Sequence, residues 1–297
     1  NQDGLLDLFL ANQGDDRDAL YRNDGENFVD VASELGLEGG DRTASDGGVD
    51  CTVGDFNNDG QFDLFVATYG YNKLYENDGR GGFSDVTESM GLTSNDHMVG
   101  ASWGDYNNDG WIDLFVAGYH DGEVRSPHDR LYQNLKSTFR EINLEGNVLN
   151  GADHGIQWAD FDSDGDLDLS LTEGYNMAGR HPVLVNNLDE ERRVQSLAVS
   201  VSDDLGIYNR AGSEVRIYDL NGKLLGSRLI TTGDGYNSQS NKPLHFGLPN
   251  INTVSLEVTF ISEGERKIQR YENIRIDEYA NKQFLVRQNN DAASSTK

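Results

Sequence analysis

The 297-residue sequence predicts an all-β protein, with propeller-type blades carrying calcium-binding loops and a C-terminal antiparallel β domain of sandwich type. Three observations lead there. A nine-residue acidic loop occurs three times in full and once in part. Short apolar, aromatic and β-branched segments flank every copy, in units of about 50 residues that hold four strands each, the pattern of a propeller blade. Beyond residue 188 the loops stop and apolar and polar residues alternate with period two.

The full loops are DFNNDGQFD (Asp55 to Asp63), DYNNDGWID (Asp105 to Asp113) and DFDSDGDLD (Asp160 to Asp168), and the partial copy is NQDGLLD (Asn1 to Asp7). Oxygen-bearing side chains fall at loop positions 1, 3, 5 and 9, with glycine at position 6. A hard divalent cation asks for about six to eight oxygens at roughly 2.3–2.6 Å in adaptable geometry. The glycine permits a sharp turn with positive φ, which lets the position 7 carbonyl join the side chains. The predicted ligands are Asp55, Asn57, Asp59, Gln61 and Asp63; Asp105, Asn107, Asp109, Trp111 and Asp113; and Asp160, Asp162, Asp164, Asp166 and Asp168. The partial loop offers Asn1, Asp3, Leu5 and Asp7 and is expected to bind more weakly or borrow an oxygen. Calcium is the metal implied, because magnesium prefers strict octahedra and transition metals favour His or Cys, which these loops lack. A single acidic nonamer is more often a solvated turn. Recurrence before an apolar run each time argues against that here. An EF-hand is excluded by strand-like flanks and by an Asp at position 9 where a Glu at position 12 would be needed.

Within a unit the order is fixed. An inner strand such as GASWGDY or GIQWADF precedes the loop, and LLDLFLA, FDLFVATY, IDLFVAGY or LDLSLTE follows it. Third strands read ALYRNDG, KLYENDG, RLYQNLK and VLVNNLD, and fourth strands FVDVASELGL, FSDVTESMGL and FREINLEGNVL. The position 5 aspartates Asp3, Asp59, Asp109 and Asp164 lie 56, 50 and 55 residues apart. Second strands are apolar on both faces, as expected for sheets sandwiched between neighbours. Asn23, Asn77 and Asn134 are expected to satisfy turn backbone at the end of the third strand. Phe28, Phe83 and Phe139 are expected in the core between blades.

With those residues in view, the units over 1–188 resemble FG-GAP/VCBS repeats, the calcium-loop blades also found in integrin α-chain propellers and in cartilage acidic protein. The following segments SLAVSVSDD, SEVRIYD, KLLGSRLITTG, TVSLEVTF, RKIQRYENIRI and QFLVRQ are separated by turns such as Asn221-Gly222. Residues 206–288 resemble the ASPIC/UnbV domain, through Asn209-Arg210-Ala211-Gly212, Gly235-Tyr236-Asn237-Ser238-Gln239 and Leu244-His245-Phe246-Gly247-Leu248. The expected division is 1–188 blades with the first incomplete, 189–288 the ASPIC/UnbV-like domain, and 289–297 a disordered tail. The resemblance informs the fold more than the function.

Asp and Glu number 51 against 24 Lys and Arg, a formal charge of −27. Such a surface disfavours nucleic acid and anionic lipid, which need basic patches. No apolar run of about 18 residues exists, so membrane insertion is not expected. The single Cys51 has no partner for an internal disulfide and reads as a small buried hydrophobe. Loops of this type fill at about millimolar calcium, which points to an extracellular or cell-surface setting, although no signal sequence is visible. Asn1 occupies loop position 3, so the chain is expected to continue upstream. A strand from the C-terminal segment or another subunit completing the first blade, or a closed four-blade ring, are the alternatives.

Catalytic signals are sparse. Ser238, His245 and Asp234 form a nominal triad, but strand-period sequence gives no reason for convergence. His97, Asp153 and His154 begin inner strands and would line a channel, as polar lining or as a ligand site. Tyr236 sits in a turn-forming segment that serves either recognition or packing at the domain junction. The function expected is a calcium-stabilised interaction or adhesion module binding protein, glycan or further copies of itself, with calcium structural. The alternative is a secreted enzyme using a propeller channel or face, which clustering of His97, His154 and carboxylates would favour.

Overall fold

Each acidic loop delivers the chain into the second strand of a blade. The computed structural model describes residues 1–297 except 119–128, 144–152, 174–180, 208–210, 232, 234, 237, 239–242, 263, 280–282 and 290–297. The first blade holds β1 (Leu8–Leu10), β2 (Ala19–Asn23) and β3 (Phe28–Asp30), followed by α1 (Ala32–Leu35). The second holds β4 (Gly47–Gly54), β5 (Asp63–Tyr71), β6 (Lys73–Asn77) and β7 (Phe83–Asp85). The third holds β8 (Asn95–Gly104), β9 (Asp113–Gly118), β10 (Arg130–Asn134) and β11 (Phe139–Ile142), and the fourth β12 (Asp153–Ala159), β13 (Asp168–Glu173) and β14 (Val183–Leu184). Strands within each blade are antiparallel, and β5 also meets β8 through Tyr69↔His97 and Tyr71↔Asn95. The second and third blades therefore curl into one eight-stranded sheet.

Period two explains how the blades stack. Counting from the aspartate that ends each loop as position 1, odd positions of one second strand meet even positions of the next. Phe9 and Ala11 join Leu64 and Val66 in one cluster; Phe65 and Ala67 join Leu114 and Val116 in the next; Phe115 and Ala117 join Leu169 and Leu171 in the third. The pattern stops at both ends. Leu8 and Leu10 are 49% and 39% exposed where their counterparts Leu114 and Val116 are fully buried. On the fourth blade the forward positions are Ser170 and the exposed Thr172.

The same geometry corrects one expected core position. Phe139 is buried and Phe83 packs against the first interface, whereas Phe28 is 57% exposed because no blade covers its face of the first unit. The segment expected as a fourth strand, FVDVASELGL, is also different. Only Phe28–Asp30 is strand, and Ala32–Leu35 forms a helical turn. Gly36 ends that turn in the left-handed region at φ 71°, which drops Leu37 fully into the core.

After α2 (Glu190–Arg193), capped by Asp189 accepting from the Arg192 N–H at 2.9 Å, come β15 (Ser196–Ser202), β16 (Glu214–Tyr218), β17 (Leu224–Leu229) and β18 (Leu244–Gly247). β19 (Thr253–Ser262), β20 (Glu265–Arg275) and β21 (Gln283–Arg287) complete the set. Two sheets, β18-β15-β21 and β17-β16-β19-β20, close over one core that includes Val199, Phe246 and Val286 from the first and Val215, Ile217 and Leu256 from the second. The expectation of a purely antiparallel domain is corrected by β15 and β21, which run parallel with Val199 opposite Phe284. Alternation reads the same in either ladder, so the sequence pattern could not reveal it. Asn289 donates its N–H to Gln269 Oε1 at 2.6 Å, and the remaining tail lies outside the described residues.

Candidate metal loops

The full loops share one conformation, held by their own carboxylates. At position 1, Asp55 accepts from the Asp59 and Gly60 N–H groups, both at 3.0 Å. Asp105 accepts from Asp109 and Gly110 at 3.0 and 2.9 Å, and Asp160 from Asp164 and Gly165 at 3.0 and 3.1 Å. At position 5, Asp59, Asp109 and Asp164 accept from Gln61, Trp111 and Asp166 at 2.8, 2.9 and 3.2 Å. Asp3 repeats this with Leu5 at 2.8 Å. At position 3, the Asn57 and Asn107 side-chain oxygens accept from the Asp59 and Asp109 N–H groups at 3.1 and 2.9 Å.

Position 9 ties the loop to its blade. Oδ1 of Asp7, Asp63, Asp113 and Asp168 accepts from the N–H of Asn23, Asn77, Asn134 and Asn186 at 2.8, 2.9, 2.8 and 2.9 Å. Each asparagine returns its Nδ2 to the carbonyl of the residue before that aspartate: Leu6, Phe62, Ile112 and Leu167. Its Oδ1 takes the turn N–H of Gly25, Gly79 or Lys136 in the first three blades. The predicted turn role is present, and a second role, anchoring the end of the loop, was not foreseen.

Position 4 was also missed. Gln2, Asn58, Asn108 and Ser163 have positive φ, at 58°, 53°, 54° and 61°, alongside the expected Gly4, Gly60, Gly110 and Gly165. The hint lay in the asparagines, which tolerate this region better than most residues. Their amides link the loops in a row. Gln2 Nε2 donates to Gly60 O, Asn58 Nδ2 to Gly110 O and Asn108 Nδ2 to Gly165 O, each at 3.0 Å.

In the fourth loop the donors converge to a spacing that fits a hard cation. Asp160, Asp162 and Asp168 place one carboxylate oxygen each within 4.8 Å of one another. Bonds of about 2.3–2.6 Å would put opposite ligands roughly 4.6–5.2 Å apart. Asp166 Oδ1 is buried with no hydrogen-bond partner among the described residues, whereas the position 9 carboxylates also take the position 2 N–H, Phe56 to Asp63 Oδ2 at 3.1 Å and Phe161 to Asp168 Oδ2 at 2.9 Å. Burial pushes the Asp63 carboxyl up to about 8, Asp105 to about 7 and Asp166 to about 6, and lifts Asp113 well above the usual range. Half-buried Arg228 from β17 brings a positive charge toward Asp105, Asp55 and Asp113, stacked over the Phe246 ring at 4.9 Å. In the partial loop Asn1 and Asp3 are exposed. Asp166 was predicted to contribute its carbonyl alone. Its side chain is also engaged, Oδ2 accepting from the Leu188 N–H at 3.0 Å.

Other predicted residues are dispersed. His97 stacks on Tyr69 at 4.8 Å and His154 on Tyr236 at 5.6 Å between ring centroids. Ser238 Oγ accepts from the Ile156 N–H at 3.1 Å, while His245 Nε2 lies 2.7 Å from Asn108 Oδ1. Asp234 and the Asp153 side chain lie outside the described residues. Neither histidine joins a convergent metal-type cluster among the described residues. Tyr236 is half-buried, with its ring against that of His154. Cys51 is half-buried, and burial pushes its thiol up to about 12. No helix among the described residues is long and apolar enough to cross a membrane.

Residues 1–66, 55–116 and 105–170 each match the FG-GAP-like repeat, which together spans residues 1–170 of 297. The chain belongs to the FG-GAP-like repeat family. Residues 208–290 match the ASPIC and UnbV domain. Cartilage acidic protein 1 of Xenopus tropicalis is 28% identical over 266 residues, covering 86% of this FG-GAP chain and 39% of that protein. The chain thus spans about two-fifths of its relative's length. Among solved structures, an Agrocybe aegerita lectin that recognises non-reducing terminal N-acetylglucosamine aligns over 91% of this chain and 78% of its own, at 14% identity and a TM-score of 0.35.

Proposed function

We propose that this FG-GAP chain is a calcium-stabilised extracellular or cell-surface interaction module, in which calcium maintains the blades and an exposed face binds protein or glycan. The observation that carries the calcium reading is the convergence of Asp160, Asp162 and Asp168, which bring one carboxylate oxygen each within 4.8 Å of one another. When bound, calcium would supply the positive charge that these clustered carboxylates need. The ligands would be the side chains at positions 1, 3, 5 and 9 with the position 7 carbonyl. The chain's own residues do the rest: position 1 and 5 carboxylates fold the loop on its N–H groups, and position 9 couples it to the blade. Membership of the repeat family and a relative named for cartilage support the extracellular setting. The net charge of −27 favours protein or glycan over nucleic acid as partner.

The test is thermal unfolding with excess calcium and with excess chelator. At free calcium about a hundredfold above Kd, each independent site adds roughly 2.7 kcal/mol to the folded state. The melting temperature should fall sharply in chelator and protease sensitivity should rise. Superimposable melting curves would refute the structural role.

A further inference from the structure

The C-terminal unit lies directly on the acidic loops, and on the third it meets both the position 1 and the position 4 residue. The Gly247 N–H, at the end of β18, donates to Asp105 Oδ2 at 3.1 Å. That oxygen also accepts from the loop's own Gly110 at 2.9 Å. A Cβ on Gly247 would come within 2.2 Å of Asp105 Oδ2 and 2.6 Å of Asn108 Cα, so only glycine fits. Two residues earlier, His245 Nε2 meets Asn108 Oδ1 at 2.7 Å. The Asn108 amide nitrogen already donates to Gly165 O and Arg192 O. Its Oδ1 is therefore the acceptor, and His245 the donor through Nε2–H. The loop's position 1 ligand and its left-handed position 4 residue are thus both held from outside the blade. At position 4 of the second loop the equivalent Asn58 Oδ1 is buried with no partner among the described residues.

We propose that His245 and Gly247 are positioning residues for the third calcium loop. The C-terminal unit completes that loop from behind, so docking of the unit and calcium affinity at Asp105, Asn107, Asp109 and Asp113 are linked. This rests on the reading that the loops bind calcium. Groups that orient metal ligands without touching the ion commonly change affinity by about 10–100-fold when removed. It also gives a shared purpose to residues of the Leu244–Leu248 segment: His245 and Gly247 face the loop while Phe246 and Leu248 fill the core of the C-terminal unit.

The test is calcium titration calorimetry on the full chain and on His245→Ala, His245→Gln and Gly247→Ala. His245→Ala and Gly247→Ala should weaken one site about tenfold or more and leave the other full loops unchanged, and His245→Gln, which keeps a donor, should recover much of the loss. A lower melting temperature with every calcium affinity intact would show a merely structural contact and overturn the proposal. Should the alanine variants not fold, hydrogen exchange at the Gly247 amide of the unmodified chain decides. Calcium should slow it, and an identical rate with and without calcium overturns the link. Failure of the unmodified chain to bind calcium at all would instead overturn the underlying reading and this inference with it.

Discussion

Four successive loops place a non-glycine residue in left-handed backbone at position 4, which costs about 1 kcal/mol or more at each. The amides at Gln2, Asn58 and Asn108 offset that cost by bonding the next loop's glycine carbonyl. Asn58→Ala should therefore lower unfolding free energy by about 1–3 kcal/mol, and Asn58→Gly by less, since glycine removes the backbone strain but not the lost bond. Denaturant titration checks the order, and an Asn58→Gly variant as unstable as Asn58→Ala would show that the backbone strain contributes nothing. The acidic loop positions were legible because each recurs at one spacing with one chemistry. Position 4 was not, because Gln2 and Ser163 disguise it. Cys51 gives a pH prediction. Burial pushes its thiol up to about 12, above the usual value near 8.5, which suppresses the reactive thiolate at neutral pH in the folded chain. A thiol reagent at pH 8 should modify Cys51 only on unfolding, and rapid native labelling would contradict the burial.

At the scale of elements, one asparagine position recurs at the end of each third strand but in unequal surroundings. Asn134 is buried and donates to both Ile112 O and Phe56 O, the latter in the neighbouring blade. Asn23 makes the equivalent Leu6 bond in an exposed setting. Asn134→Ala should cost about 1–3 kcal/mol by leaving buried carbonyls unmet, and Asn23→Ala distinctly less. Equal losses would mean that burial does not set the value of this joint. Strand order within blades was readable from repetition of the apolar runs. Two features were not. Ala32–Leu35 turns helical because Ala, Glu and Leu favour helix once strand pairing ends, although Gly36 was a visible stop signal. The parallel pairing of β15 with β21 joins segments more than 80 residues apart, and no local pattern encodes such a partner.

For the molecule as a whole, the two ends of the row of blades differ. Leu6, Leu8, Leu10 and Phe28 leave an exposed apolar face on the first blade, whereas the fourth presents Ser170 and Thr172. The seating of the C-terminal unit on the loops was illegible for a different reason: Gly247 and Asp105 lie 142 residues apart, and neither segment carries a periodicity that names the other. The row of side-chain amides bears on how such chains lengthen. Every rung joins the same two places, so a duplicated unit arrives with the donor for its successor and the acceptor for its predecessor already built in. Copy number can drift by simple gene-level repetition without a new joint being invented. The series ends where the last copy exchanges its amide for the short hydroxyl of Ser163.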